Sequence, residues 1–239
     1  VTEIIQNLTN QEAGSETATI VMLNALAYVL MAVGAWLLGR RNDLGWWAYM
    51  LGVFAGPIVT ALLYGYEGLL SAIPAMLIGV FGLWKWSKSA MVGRFGRAVP
   101  TRALKVRSVV TFVILVIVLT ALNLGPMLTS GFAFSSGAEI ILINMALMGI
   151  ITASFAGIAF GQRWSFIALA LAAAGVVALV VANDPALATL GAYVFLALGA
   201  IVGWFSWRTT EPIAVPNAEP TAGRAASETA TEEVTDSKN

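Results

Sequence analysis

The sequence predicts an all-α integral membrane protein. Seven transmembrane helices are expected as two parallel three-helix repeats around one linker helix, with the N-terminus outside and the C-terminus cytoplasmic. Three observations predict it. First, 59% of the 239 residues are hydrophobic and 11% charged, with a mean hydropathy of +0.83. A soluble domain carries about 25% charged residues, so this chain lacks the charge to coat a water-facing surface. Second, the chain holds seven apolar runs, most of them close to the roughly 20 residues that cross a bilayer core at about 1.5 Å per residue. Third, its charges are sorted along the chain by sign.

The spans follow in order. The first covers 20–39 and stops at Arg40-Arg41-Asn42-Asp43. The second covers 44–63 and stops at Tyr64-Gly65-Tyr66-Glu67-Gly68. The third covers 69–86 and runs into a basic segment that holds Lys85, Lys88, Arg94, Arg97, Arg102, Lys105 and Arg107 with no acid among them. The linker helix is 108–129, followed by a turn rich in Gly, Ser and Phe. The last three spans are 138–161, ended by Gln162-Arg163, then 164–182, ended by Asn183-Asp184-Pro185, then 186–207. Five kinds of segment result besides the linker: an extracytoplasmic N-terminal stretch (1–19), a first repeat (20–86), a basic cytoplasmic loop (87–107), a second repeat (138–207) and a disordered cytoplasmic tail (208–239). The tail is rich in Pro, Ala, Thr and Glu, a composition that buries no core.

Charge sorting sets the orientation. The first, third, fifth and seventh polar segments carry Glu3, Glu12 and Glu16, then Glu67, Glu139 and Asp184, and no Lys or Arg. The alternate segments hold all 13 basic residues. Basic loops stay on the cytoplasmic side, and a wrong helix count would scramble the alternation. Trp and Tyr gather near span ends, as in an interfacial belt.

What is absent narrows the chemistry. The chain has no Cys and no His, which excludes disulfides, thiolate nucleophiles, imidazole bases and common zinc sites. Polarity within the spans comes from neutral groups: Asn24, Thr60, Ser71, Thr111, Thr120, Asn123, Asn144, Thr152, Ser154 and Ser165. No acid–base pair serves an enzyme, so no catalytic residue, cofactor or metal is expected. A retinal protein needs a lysine in mid-membrane, and Lys85 lies at a span end. The zero net charge points to no nucleic-acid partner. Pro57 and Pro74 interrupt the second and third spans and should kink them.

The halves resemble each other. Spans one and two join through Gly-Arg-Arg-Asn-Asp, and spans five and six through Gly-Gln-Arg. Gly82 and Trp86 end span three as Gly203 and Trp207 end span seven. Because one helix separates them, the second triplet enters the membrane in the same sense as the first. Such parallel repeats are a carrier architecture, with the SWEET proteins as one example.

These features make the chain similar to the PnuC-type vitamin transporters. Gly45-Trp46, Tyr66, Gly82 and Trp86 carry the resemblance in the first half; Arg163-Trp164, Gly203 and Trp207 carry it in the second. The resemblance implies facilitated diffusion of a nucleoside-like vitamin such as nicotinamide riboside, riboflavin or thiamine. It also implies a homotrimer in the bacterial inner membrane. Where the family carries a second Trp and an Asn in helix six, this chain has Ile167 and Leu171; where the family has Gln and Asn in helix three, it has Ala72 and Gly79. A more apolar ring system is then expected as substrate. The candidate substrate contacts are Trp46, Trp164 and Asn144, with Tyr66 at the outer gate. The alternative is a non-transporting seven-helix sensor or assembly protein acting through its tail.

Overall fold

The computed structural model describes residues 18–58, 69–89, 91–93, 96–129, 138–183, 187–209 and 213–214. Seven helices lie among them: α1 (Ala18–Gly39), α2 (Leu44–Val53), α3 (Leu69–Ser87), α4 (Val106–Thr129), α5 (Ala138–Ala159), α6 (Ser165–Asn183) and α7 (Leu187–Thr209). The helices α4 to α7 are long and apolar enough to cross a bilayer, and α1 to α3 contain shorter apolar stretches. The protein is a multi-pass membrane protein. Every helix begins and ends within a few residues of its expected span, except that α2 gives way at Phe54 to a π-helical turn, Phe54–Ile58. Pro57 sits in that turn. Its nitrogen cannot donate to the carbonyl four residues back, so the α ladder fails there. Residues 59–68, with Tyr66, lie outside the described part.

Helix α1 packs along α2 and α7, and α5 along α3 and α6. Within the triplets α2 meets α3, and α6 meets α7. The linker α4 touches α5 and α3 and leaves most of its surface uncovered, with Val110, Ile114, Ile117 and Val118 exposed. In lipid such apolar exposure costs nothing, and helices associate by close packing instead.

Two turns at the basic end of the bundle have the same backbone. Between α1 and α2, the N–H of Asn42 donates to Leu37 O and that of Arg41 to Leu38 O, both at 3.0 Å. Between α5 and α6, Gln162 N–H donates to Gly157 O and Gly161 N–H to Ile158 O, both at 2.9 Å. Each is a Schellman cap, which needs one left-handed residue. Gly161 takes that place with φ 80°, and Arg41 with φ 57°. A Cβ costs about 1 kcal/mol or more in that conformation, and Arg41 is held there by its side chain. Its guanidinium donates to Val99 O at 2.9 Å and Thr101 Oγ1 at 2.6 Å, and lies 4.4 Å over the Trp207 ring.

Those bonds bring the basic loop back under the bundle. Ala98 and Val99 are buried, and Arg102 N–H donates to Gly161 O at 2.8 Å. Met91–Val92 (β1) pairs antiparallel with Arg97–Ala98 (β2) on one side and Ile213–Ala214 (β3) on the other. The tail expected to be disordered from 208 onward is therefore structured at its start. Helix α7 runs to Thr209, and Ile213–Ala214 offers its backbone to the open edge of β1.

Candidate functional site

An aromatic cluster fills the basic half of the bundle. Trp46, near the start of α2, is fully buried and packs edge-on against Trp86 of α3, ring centroids 5.8 Å apart. Gly82 makes room for it: a Cβ there would meet the six-membered face of the Trp46 indole at 2.6 Å. The second triplet repeats the arrangement with Phe166, Trp207 and Gly203. Phe166 lies edge-on to Trp207 at 5.1 Å, and a Cβ on Gly203 would meet the Phe166 ring at 2.5 Å. Phe166, and not Trp164, therefore stands where Trp46 stands.

One turn further into α2, Tyr49 stacks on Phe155 of α5 at 4.1 Å, joining the triplets. Tyr28 of α1 meets Tyr193 of α7 at 4.7 Å, and the Tyr193 hydroxyl lies 3.4 Å from the Met148 sulfur.

The triplets differ in polarity. Trp46 Nε1, Tyr49 OH and Trp86 Nε1 are buried donors with no hydrogen-bond partner. More than nine in ten buried polar groups in folded proteins are paired, and an unpaired one costs about 1–3 kcal/mol. The corresponding places in the second triplet are apolar or satisfied. Phe166 and Leu169 have no donor, and Trp207 Nε1 donates to Leu38 O at 3.0 Å. The start of α6 has buried groups without a partner too, Ser165 Oγ among them, but the three around Trp46 adjoin one another and make a place where an acceptor-bearing solute would gain hydrogen bonds.

The sequence-predicted residues fall in different places. Trp46 belongs to this cluster. Trp164 precedes the first turn of α6, packs edge-on against Phe112 of α4 at 4.7 Å, and lines a cavity at the basic end with Arg102 and Arg163. Asn144 is half-buried on α5, about 16 Å along the helix from Phe155 at 1.5 Å per residue. Ile167 and Leu171 are exposed on the outside of the bundle. The inward face of α6 runs through Phe166, Leu169 and Ala173, two residues further along than the sequence register placed it. Of the helix-three positions, Ala72 and Gly79 are buried, Gly79 beside Met50 and Tyr49. Sequence reasoning missed Tyr49, although its spacing of three from Trp46 puts both on one helix face.

A solved structure shares this architecture. The crystal structure of the vitamin B3 transporter PnuC aligns over 86% of this chain and 86% of its own, with a TM-score of 0.56 and 14% identity. The fold is that of PnuC. No protein-family model matches the sequence, and no curated protein shows significant similarity to it. At this identity the likeness to PnuC is one of helix order and packing.

Proposed function

We propose that the protein is a membrane transporter for a small, neutral, vitamin-like solute with a flat ring, moved by facilitated diffusion. The observation that carries this reading is the trio of unpaired donors, Trp46 Nε1, Tyr49 OH and Trp86 Nε1, inside a bundle with the PnuC fold. Donors without a counter-charge suit ring nitrogens, carbonyls or hydroxyls. The aromatic walls suit a ring face. Riboflavin is the neutral compound to test first, and nicotinamide riboside and thiamine-like compounds, both cations, are its charged counterparts in the panel.

The basic end is the cytoplasmic one in this proposal, by the positive-inside rule, and the membrane is the bacterial inner membrane. There Trp86 and Trp207 form the closed gate, and the cluster is reached from the opposite face. The near-identical turns after α1 and α5 support a duplicated unit, and rocking of two such units gives alternating access. Asn144 lies on the route from the outer side. Assembly into a homotrimer belongs to the same proposal, and the mass of the detergent-solubilised protein tests it.

Uptake of a labelled vitamin panel into proteoliposomes, with and without ion gradients, tests the function. Tyr49→Phe sharpens the test, because it removes one buried, unpaired hydroxyl and keeps the ring. Transport should fall about tenfold, the value of one hydrogen bond, while thermal stability is kept or raised. If no compound accumulates, or Tyr49→Phe transports as the parent does, the proposed site is wrong. The pairing of β3 with β1 gives the alternative, a tail-dependent assembly protein, its own foothold. Deleting residues 212–239 leaves a carrier active and disables such a scaffold.

A further inference from the structure

We propose that the basic end holds a site for an anionic phospholipid, its phosphate beside Arg163 and one acyl chain in the groove between α6 and α7. Two cavities share Trp204 as a common wall. One, of about 280 Å³, is lined by Arg102, Arg163 and Trp164 together with backbone and side chains of 101–104. The other, of about 360 Å³, runs along α6 and α7 and is lined by Ala170, Leu171, Ala174, Ile201 and Phe205.

The first cavity has the chemistry of a phosphate site. Two arginines line it and no acid does. The Arg163 guanidinium lies 3.7 Å over the Trp204 ring, and Arg163 Nε and Trp164 Nε1 are buried donors with no partner. Phosphate oxygens are the acceptors that suit a charged guanidinium donor beside a neutral indole N–H. The second cavity has the chemistry of an acyl chain site. It opens on the outside of the bundle, where Leu171 and Phe205 are exposed, and the alanines of α6 leave its floor low. A polar head pocket continued by an apolar groove matches one phospholipid. A free phosphate would leave the groove unused, and a zwitterionic headgroup would oppose its own cation to both arginines. Basic pockets between helices on the cytoplasmic side commonly take anionic headgroups.

The test uses the full chain in neutral detergent, read by native mass spectrometry and thermal unfolding. The probes are dioleoyl phosphatidylglycerol, dioleoyl phosphatidylcholine and inorganic phosphate. Phosphatidylglycerol should stay bound through detergent removal and raise the unfolding temperature, with the other two well below it. Arg163→Gln should weaken phosphatidylglycerol binding about tenfold by removing a charge-assisted bond. Ala174→Phe fills the groove from an exposed position and should weaken it with both arginines in place. Equal binding of phosphatidylcholine overturns the charge assignment. Equal stabilisation by inorganic phosphate reduces the site to an anion pocket and overturns the lipid. Undiminished binding by Ala174→Phe overturns the groove, even if Arg163→Gln fails to fold.

Discussion

Trp86 and Trp207 meet at the basic end of the bundle, ring centroids 6.2 Å apart and planes inclined by 40°. They come from the last turns of α3 and α7, so this contact joins the two triplets at the ends of their last helices. The two rings are not equivalent. Trp207 also donates from Nε1 to Leu38 O and lies under Arg41, whereas Trp86 Nε1 has no partner.

This difference orders two substitutions. Trp207→Ala removes a buried indole, its hydrogen bond and the surface under a guanidinium, and should destabilise by about 3–5 kcal/mol. Trp86→Ala removes similar volume together with an unpaired donor, and should cost about 1–2 kcal/mol less, since no bond is lost and one burial penalty disappears. Thermal unfolding in one detergent compares them. Equal losses, or the reverse order, would show that the hydrogen bond to Leu38 carries no weight.

Gly82 and Gly203 each lie under an aromatic face, that of Trp46 and that of Phe166. Overfilling a packed contact costs about 1–3 kcal/mol. Gly203→Ala should therefore lower the melting temperature, and Phe166→Leu should restore part of the loss in the double variant, because the smaller side chain gives way. Absence of any rescue would mean that α7 meets an obstacle other than this ring.

The helices were legible because membrane spans are written in long apolar runs and in charges at their ends. Arg40-Arg41 and Arg163 mark the ends of α1 and α5 to within a few residues. The register of α6 was not legible. Trp164 matches Trp46 by residue type, but a hydrogen-bonded turn decides where a helix begins, and the turn puts Phe166 in that place. Trp46 was found because an indole beside a helix start draws notice. Tyr49 was missed because an isolated Tyr in a span reads as packing, and the lack of a partner for its hydroxyl is a property of the folded bundle. Two-residue strands such as β3 leave no periodicity to read. Tyr66 lies outside the described residues.

Arg41 combines a left-handed backbone with a side chain that anchors the basic loop. The two effects separate by comparing Arg41→Ala with Arg41→Gly. Both lose the bonds to Val99 O and Thr101 Oγ1 and the contact with Trp207. Only glycine relieves φ 57°, so the glycine variant should be the more stable by about 1 kcal/mol. Both should expose the loop to protease between α3 and α4. An alanine variant as stable as the glycine one would show that the backbone of this turn adjusts without cost.

The likeness of the two triplets makes a further experiment possible, because the second triplet already shows what a phenyl ring does in the place of Trp46. Phe166 fills the contact over Gly203 and lies edge-on to Trp207 without any polar group. Trp46→Phe should therefore be accepted over Gly82 and against Trp86. The smaller ring loses packing, and the loss of a buried unpaired N–H returns about 1–3 kcal/mol, so stability should change by no more than about 1 kcal/mol. Transport should fall at least as far as in Tyr49→Phe, since the same kind of donor is removed from the same cluster. Parallel measurement of unfolding temperature and proteoliposome uptake separates the outcomes. A large loss of stability would mean that the two aromatic contacts are not interchangeable. Unchanged uptake with unchanged stability would leave Trp46 a packing residue and move the substrate contact to Tyr49 and Trp86.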